Sequence, residues 1–355
     1  MTPVQLVKPA MRAARGAHAT SVRSGRRPIA PRRGAALLLA LVILTMVATI
    51  ASGMVWQQNR AIQVEAAERA RTQSAWILIG ALDWARLILR EDYRVNEVRA
   101  RNGQHAYDGL DEPWATPLAE ARLSSFLAAD RDNNADDEGG GPEAFLSGSI
   151  VDAQSQWNLR NLVGPDGKVV PAQLEALRAL VDLAGAPADA AERIAAVVRD
   201  AWPGSNTEAA NARTRPVAPQ RLEDLAWLGI ERETLARLAP WVTLLPTDRP
   251  TPVNVNTAER EVLVAAIDKL DLGTAERLVQ QRQRQPFETL EQVRAQLPQG
   301  TPLDAGRLSV TSNWFVVSGR LRLDERVLEE RSLVERTANA VVVRRRERIN
   351  LTEPR

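Results

Sequence analysis

The 355 residues, 45% hydrophobic and 25% charged, are enough for two or three compact domains. No cysteine is present, which excludes disulfides, thiolate nucleophiles and cysteine-ligated zinc. The two histidines, His18 and His105, argue against a Ser-His-Asp triad or a multi-histidine metal centre. With no nucleophile motif either, the sequence predicts a protein that is not an enzyme, and a membrane-anchored enzyme is the weaker alternative.

The positive charge of the chain is concentrated at its N-terminus. Residues 1–34 contain eight cations and no acid, whereas the other 38 cations face 44 acids, so residues 35–355 have a net charge of −6. The eight are Lys8, Arg12, Arg15, Arg23, Arg26, Arg27, Arg32 and Arg33. Because contacts with nucleic-acid phosphates need a clustered cationic surface, we expect the body to bind no nucleic acid.

An uncharged apolar segment follows this leader. Residues 35–56 suffice to cross a hydrocarbon core, which needs about 20 helical residues. Trp56 stands where an interfacial aromatic residue is expected, and every cation before residue 60 precedes the segment. The positive-inside rule therefore predicts a single-pass inner-membrane protein with a cytoplasmic N-terminus and an exported, periplasmic body.

The junction between leader and apolar segment reads Arg32-Arg33-Gly34-Ala35. A cationic stretch that ends in glycine directly before the apolar run resembles the prepilin peptidase site of type IV pilins and type II secretion pseudopilins. This resemblance implies cleavage after Gly34 by a prepilin peptidase, methylation of the new N-terminus at Ala35, and retention of the apolar helix in lipid. A plain signal anchor and a secretory signal cut after Ala51, which leaves Ser52 first, are the alternatives.

Position 39 departs from the pattern of most pilin-like chains. They carry glutamate at the fifth mature residue, where this chain has Leu39. A carboxylate in the bilayer is costly and is retained for a partner, in that family the amino terminus of a neighbouring subunit. In lacking this glutamate, the chain resembles the general secretion pathway protein K (GspK) family of type II secretion minor pseudopilins. That resemblance implies a subunit at the tip of the pseudopilus that supports protein export across the outer membrane.

Residues 57–91 have helical periodicity. An apolar stripe predicts the face that packs against a domain core. Its members are Trp76, Ile77, Gly80, Trp84, Leu87 and Ile88.

An acidic run follows in a polar, glycine-rich stretch and has two interpretations. One is a solvated loop; the other is a calcium site, because carboxylate and amide oxygens are calcium ligands. The candidate ligands are Asp130, Asp132, Asn134, Asp136 and Asp137. The EF-hand pattern fails at Ala135 and Gly141, but the GspK resemblance implies a periplasmic domain that binds calcium.

Two motifs in the body carry the rest of the resemblance. Asp152 precedes an N-L-x-N-L run that contains Asn158 and Asn161, residues of turn and cap type. Residues 253–258 read V-N-V-N-T-A, and Thr257 in that run is predicted to cap a helix. Both motifs resemble the GspK family.

The helices after the second motif resemble a helix-hairpin-helix module, a fold often used on DNA. An aspartate, Asp271, replaces a hairpin glycine, and residues 248–294 carry eight acids and seven cations. This charge favours a structural or protein-binding role, with a membrane-anchored DNA-binding or uptake protein as the alternative.

Residues 308–346 read as strands that return after a long helical stretch. The predicted fold is α+β: a pilin-like N-terminal membrane helix packed on an antiparallel sheet, with a large all-helical insertion of helix-hairpin-helix or SAM-like type. The predicted boundaries are 1–34 for the leader, 35–56 for the membrane helix, 57–164 and 306–346 for the two parts of the periplasmic domain, 165–305 for the insertion and 347–355 for a tail.

The implied partners of such a subunit are other minor pseudopilins of I, J and H type, the major pseudopilin, the prepilin peptidase, inner-membrane lipid and secreted substrates. No cofactor other than calcium is implied.

Overall fold

The computed structural model describes residues 33–123, 144–202, 216–323 and 326–351. The chain divides into two units, residues 1–67 and residues 68–355. The described part of the first unit is a single stretch of helix, and the second unit contains the sheet and the other helices.

The secondary structure is mixed, and the α+β class predicted from the sequence is confirmed. The helices are α1 (Arg33–Arg101), α2 (Pro171–Leu183), α3 (Ala190–Ala201), α4 (Arg232–Leu238), α5 (Arg260–Ala266), α6 (Leu272–Arg284) and α7 (Leu290–Gln296). The strands are β1 (Leu118–Arg122), β2 (Ala144–Asp152), β3 (Trp157–Asn158), β4 (Val242–Thr243), β5 (Val253–Asn254), β6 (Leu308–Ser309), β7 (Trp314–Leu323), β8 (Arg326–Arg336) and β9 (Val341–Leu351). Short 3₁₀ helices span Pro113–Ala115, Ala153–Ser155, Leu159–Leu162 and Leu222–Leu228.

Five strands form one antiparallel sheet in the order β1-β2-β7-β8-β9. β2 and β7 pair in continuous register from Ala144↔Leu323 to Asp152↔Phe315, although the described chain between them contains six α-helices. The chain thus leaves the sheet at the end of β2 and returns to the neighbouring strand. The helical region is therefore inserted into the sheet, and the domain boundaries given above stay a proposal.

The second half of α1 packs one face on this sheet. Leu78, Leu82, Ala85 and Leu89 are buried at spacings of four, three and four, which is one face of a helix. They contact the helix-facing side of β7, including Phe315. Each leucine buried in this way contributes about 1.5–3 kcal/mol to folding.

The stripe predicted as the core face of α1 was right for Ile77 and Ile88, which pack against the core, and wrong for its other members. Trp76 is 68% exposed, Trp84 43% and Leu87 52%, and the buried face lies elsewhere on the helix. The physical reason is that α1 is apolar on two faces, so hydrophobic periodicity alone does not determine which of them meets the sheet.

The inserted region has its own core. Buried residues of α2, α3, α5 and α6 meet there, among them Leu177, Ile194, Leu263 and Leu278. Two parallel pairs, β3–β4 and β5–β6, add short ladders that were not anticipated from the sequence. Each strand has two residues, which is too short for alternation of hydrophobicity to show.

In the insertion, a helix cap is found at Asp271 and not at Thr257, where it was predicted. Asp271, in the hairpin, caps α6 by accepting a hydrogen bond from Thr274 N at 2.9 Å. The prediction that Thr257 caps a helix was wrong. α5 begins three residues later, after Glu259. The hydroxyl of Thr257 is directed to a buried carboxylate described below.

Candidate functional site

The N-terminal part of α1 is apolar and exposed. Within the described residues this is the one helix long and apolar enough to cross a membrane. Its apolar side chains are exposed; Leu37 and Leu44, for example, are each 68% exposed. The hydroxyls of Thr45 and Thr49 bond back to the carbonyls of Val42 and Met46, so neither needs water. So large an apolar surface is stable only against lipid or protein.

The predicted processing residues lie at the start of this helix. Gly34 and Ala35 belong to the first turn of α1, and Leu39 is 62% exposed. The cationic leader up to Arg32 lies outside the described residues. At the other end of the apolar segment the guanidinium of Arg60 lies 5.7 Å from the ring of Trp56. This pairing of aromatic ring and cation suits a membrane–water interface.

The second half of α1 has an exposed apolar face, here called the outer stripe. It comprises Trp76, Gly80, Trp84, Leu87, Val95 and Val98. The spacings are mostly three or four residues, so these side chains share one face of the helix. The stripe lies away from the face that Leu78, Leu82 and Leu89 pack on the sheet. A row of this length is typical of a surface that contacts another chain.

A buried polar hub joins the sheet to the inserted region. Asp152, at the end of β2, is 2% exposed. Its Oδ2 accepts hydrogen bonds from Asn254 Nδ2 at 2.9 Å, Thr257 Oγ1 at 2.6 Å and Ser312 Oγ at 2.6 Å. Its Oδ1 accepts one from Gln154 N at 2.7 Å. The two sequence motifs singled out above therefore meet at one carboxylate.

The asparagine side chains of these motifs form hydrogen bonds with backbone N–H and C=O groups that have no backbone partner. Asn161 donates to Thr251 O at 2.8 Å and accepts from Thr251 N at 2.9 Å. Asn256 makes the same pair of bonds with Phe287, both at 2.8 Å. Asn158 caps a 3₁₀ helix, as its residue type indicated, and also accepts from Leu245 N. Buried irregular backbone needs such partners, so these residues have a structural role.

Next to the hub lies a cluster of carboxylates around Arg336. Its guanidinium bonds Asp92, both oxygens of Asp108 at 2.6 Å, and the carbonyl of Ser312 at 2.7 Å. The ring of Phe315 lies 4.8 Å from the guanidinium carbon. Glu112 accepts from the indole of Trp114 at 3.0 Å and completes the cluster. α1, the following loop and β8 are thereby tied together.

Burial shifts the pKa values of these acids upward. Burial, then repulsion from Glu112, raises the pKa of Asp92 to about 8, although Arg336 opposes the shift. Burial likewise raises the pKa of Glu112. Burial raises the pKa of Asp152 to about 6, although Ser312 and Thr257 donate to its charged form. Burial therefore favours the protonated form of Asp92 and of Glu112, which opposes a build-up of negative charge in the cluster.

The same cluster is the one group among the described residues that satisfies the spacing of a metal site. Asp92, Asp108 and Glu112 each offer an oxygen, all within 4.8 Å of one another. Arg336, however, already supplies the cation that two of them require. Arg99 lies 3.9 Å from the third carboxylate, Glu112, so two arginines stand where a cation would bind, and we assign no metal to the cluster.

The calcium candidates Asp130, Asp132, Asn134, Asp136 and Asp137 all lie outside the described residues. His105 is exposed, as its polar surroundings indicated. Sequence reasoning missed Asp108, Ser312 and Arg336, which are isolated polar residues, because Asp108 meets the other two only across more than 200 positions.

These features define a membrane-anchored, pilin-like subunit: an exposed apolar helix at the N-terminus, an antiparallel sheet covered by the second half of that helix, and a helical insertion fixed by a polar hub. Residues 155–247 and 253–318 match two profiles that are both described as type II secretion system protein K. Both profiles support the placement of the chain in the type II secretion system protein K family.

Full-length relatives and a solved structure agree with this assignment. The type II secretion system protein K of Pectobacterium carotovorum subsp. carotovorum is 28% identical over 342 residues, covering 89% of this chain and 96% of the relative. That of Pseudomonas aeruginosa is 26% identical, covering 83% and 86%. The GspK-GspI-GspJ complex from enterotoxigenic Escherichia coli contains a chain with a similar fold, at a TM-score of 0.55 and 19% identity, covering 80% of this chain and 99% of that one.

Proposed function

We propose that this chain is a minor pseudopilin at the tip of a type II secretion pseudopilus, where it supports assembly and protein export across the outer membrane. The observation that carries the proposal is the exposed apolar helix at residues 35–56, which has no carboxylate at Leu39. A subunit in mid-filament needs that carboxylate to pair with a neighbouring amino terminus. A subunit with no further one above it does not.

The membrane topology follows from the charge around the helix. The eight leader cations hold the N-terminus in the cytoplasm, and the body is then periplasmic. A prepilin peptidase cuts after Gly34, and Ala35 becomes the methylated first residue. Small residues let other anchors approach closely in lipid. They are Ala35, Ala36, Ala40, Ala48 and Ala51.

The outer stripe of α1 provides the surface for the other subunits. Exposed indole and aliphatic side chains in a single row suit the apolar face of a second long helix. The solved relative is a complex of three different chains, GspK, GspI and GspJ. We infer that this chain binds the I-type and J-type minor pseudopilins of its own system through the stripe, and through them the H-type and major pseudopilins.

The inserted region is a structural and protein-binding unit on this proposal. Its motif side chains are engaged with its own backbone, and the residues it displays are of both charges. This composition suits contact with secreted proteins and disfavours a nucleic-acid ligand. The chain acts by assembly and not by catalysis.

The processing step is tested on the full-length protein co-expressed with a prepilin peptidase and extracted from membranes. Intact mass and N-terminal sequencing should give a methylated Ala35. Gly34→Val should leave the leader attached, while Gly53→Val, at a helix position with no atom within 4 Å of the added carbon, should be processed normally. An N-terminus at Ser52, or full activity with the leader retained, would overturn the proposal.

The tip position is tested separately on isolated pseudopili. Gold-labelled antibody against the body should mark one end of each filament, at far lower stoichiometry than the major subunit. Labels spread along the filament would contradict a tip subunit while leaving the processing result intact.

A further inference from the structure

A cavity of about 270 Å³ lies between α1 and the sheet. Two of its lining residues are glycines, Gly148 on β2 and Gly319 on β7, which are paired directly and place no side chain beneath the helix. A Cβ on Gly319 would come within 3.3 Å of Leu78, and one on Gly148 within 2.9 Å of the carbonyl of Ser318.

The cavity has apolar walls and a polar floor. Trp84, Trp114, Leu146 and Ile150 are among the side chains of its walls. Its floor contains Glu330 and Ser332 of β8, which are 4% and 2% exposed. A few polar groups in an apolar cavity are the usual form of a site that orients its occupant.

The carboxylate of Glu330, on the floor of the cavity, can accept a further hydrogen bond. Glu330 Oε2 lies 3.5 Å from Arg348, and its Oε1 lies 3.1 Å from Arg346 Nε. The alignment of the second contact is not that of a hydrogen bond, so Oε1 accepts none. The two arginines balance the charge of Glu330, and an occupant therefore needs a neutral N–H or O–H donor and not a further cation.

The cavity opens toward the outer stripe. Trp84 belongs to both: it lines the cavity and is 43% exposed. The exposed Pro117 lines it as well. A chain that lies along the stripe is therefore next to the cavity.

We propose that this cavity receives one aromatic side chain with a donor group, a tyrosine or a tryptophan, from the subunit that packs on the outer stripe. The indoles of Trp84 and Trp114 offer edge and face contacts to its ring. Its O–H or N–H donates to Glu330 Oε1. Such anchors in closed pockets commonly dominate the affinity of an interface. This inference rests on the proposed function and adds the chemistry of the partner.

The cavity is tested first without any partner. Full-length protein in detergent is titrated with p-cresol, indole and toluene, and binding is followed by tryptophan fluorescence and by NMR. A hydrogen bond to a charged acceptor predicts that p-cresol and indole bind about 10-fold more tightly than toluene. Equal affinity for toluene would refute the donor contact. Failure of all three to bind would refute the cavity as a site.

The partner is tested with a filled cavity. Ser332→Leu places a side chain on the floor, whereas Val151→Leu adds bulk at an exposed position on the opposite face of the sheet, outside the cavity lining. The first should abolish p-cresol binding and weaken co-purification of the I-type and J-type subunits at least 10-fold. The control should change neither. If p-cresol binds but co-purification is unaffected by the filled cavity, the aromatic anchor is refuted while the pseudopilin assignment stands.

Discussion

Asp152 Oδ2 and Asn254 Nδ2 are 2.9 Å apart although 102 positions separate them in the chain. Both residues are almost fully buried. One ends a strand of the sheet and the other ends a strand in the inserted region, so their hydrogen bond fixes the place where the insertion leaves the sheet. The amide of Asn254 also contacts the carbonyl of Asp108 and the hydroxyl of Ser312.

Replacing Asn254 with alanine should destabilise the fold strongly. The variant removes one of the four donors to the carboxylate of Asp152, and it takes from the carbonyl of Asp108 its donor and from the backbone N–H of Asn256 its acceptor. Unsatisfied buried groups cost about 1–3 kcal/mol each, so we expect a loss of roughly 2–5 kcal/mol in the free energy of unfolding. Chemical denaturation of the full chain measures it. Asn339→Ala, in the exposed turn before β9, is the matched control and should change stability by less than about 0.5 kcal/mol.

Replacing Arg336 with methionine should lower the free energy of unfolding by a similar amount, for an electrostatic reason. Arg336 is the cation between Asp92 and Asp108, and removing one member of a buried ion pair costs about 3–5 kcal/mol. Adding Asp108→Asn to the same chain should restore part of the loss, since it removes the orphaned charge. A double variant no more stable than Arg336→Met would show that the stacking of Arg336 on Phe315, and not its charge, is what matters.

The raised pKa values predict that stability declines as pH rises. A carboxyl group whose pKa is higher in the folded state favours folding in its protonated form. The contribution is complete below the unfolded pKa near 3.8 and is lost as pH rises through about 6 for Asp152 and about 8 for Asp92. The unfolding temperature should therefore be higher at pH 5 than at pH 8.5.

The variant Asp92→Asn tests whether Asp92 causes this pH dependence. Asp92→Asn mimics the protonated side chain and should reduce the difference in unfolding temperature between pH 5 and pH 8.5. Asp83→Asn, an exposed position on the same helix, should leave the difference unchanged. A slope that is identical in wild type and Asp92→Asn would contradict a raised pKa at Asp92.

The sequence indicated the fold class because its signals were local. An uncharged run of helical length, helical stripes and long β-like runs each depend on neighbours in the chain. The motifs at Asp152 and at residues 253–258 were recognised, but their meeting was not, because register between distant segments leaves no periodicity. The outer stripe was assigned to the core for a related reason. An apolar face that binds another chain has the same sequence pattern as one that packs inside its own.

Calcium should distinguish the two acidic regions. Because Arg336 neutralises the Asp92 cluster, adding calcium or EDTA should affect the unfolding temperature of Asp92→Asn and wild type equally. If the run at residues 130–137 binds calcium, the response should disappear in Asp130→Asn/Asp132→Asn. A calcium response that is lost only in Asp92→Asn would show that the cluster holds the metal in place of the arginine.

The outer stripe provides the most direct test of assembly. Trp76 is 68% exposed on α1 and lies outside the cavity, whereas Trp227 is 75% exposed in the inserted region. Because a charge on an apolar docking face must be desolvated, Trp76→Arg should weaken co-purification of the other minor pseudopilins at least 10-fold. Its unfolding temperature should stay within about 2 °C of wild type, since Trp76 contributes little to the core. Trp227→Arg is the matched control and should assemble normally. Should Trp227→Arg block assembly while Trp76→Arg does not, the docking surface lies on the inserted region and the outer stripe has no part in it.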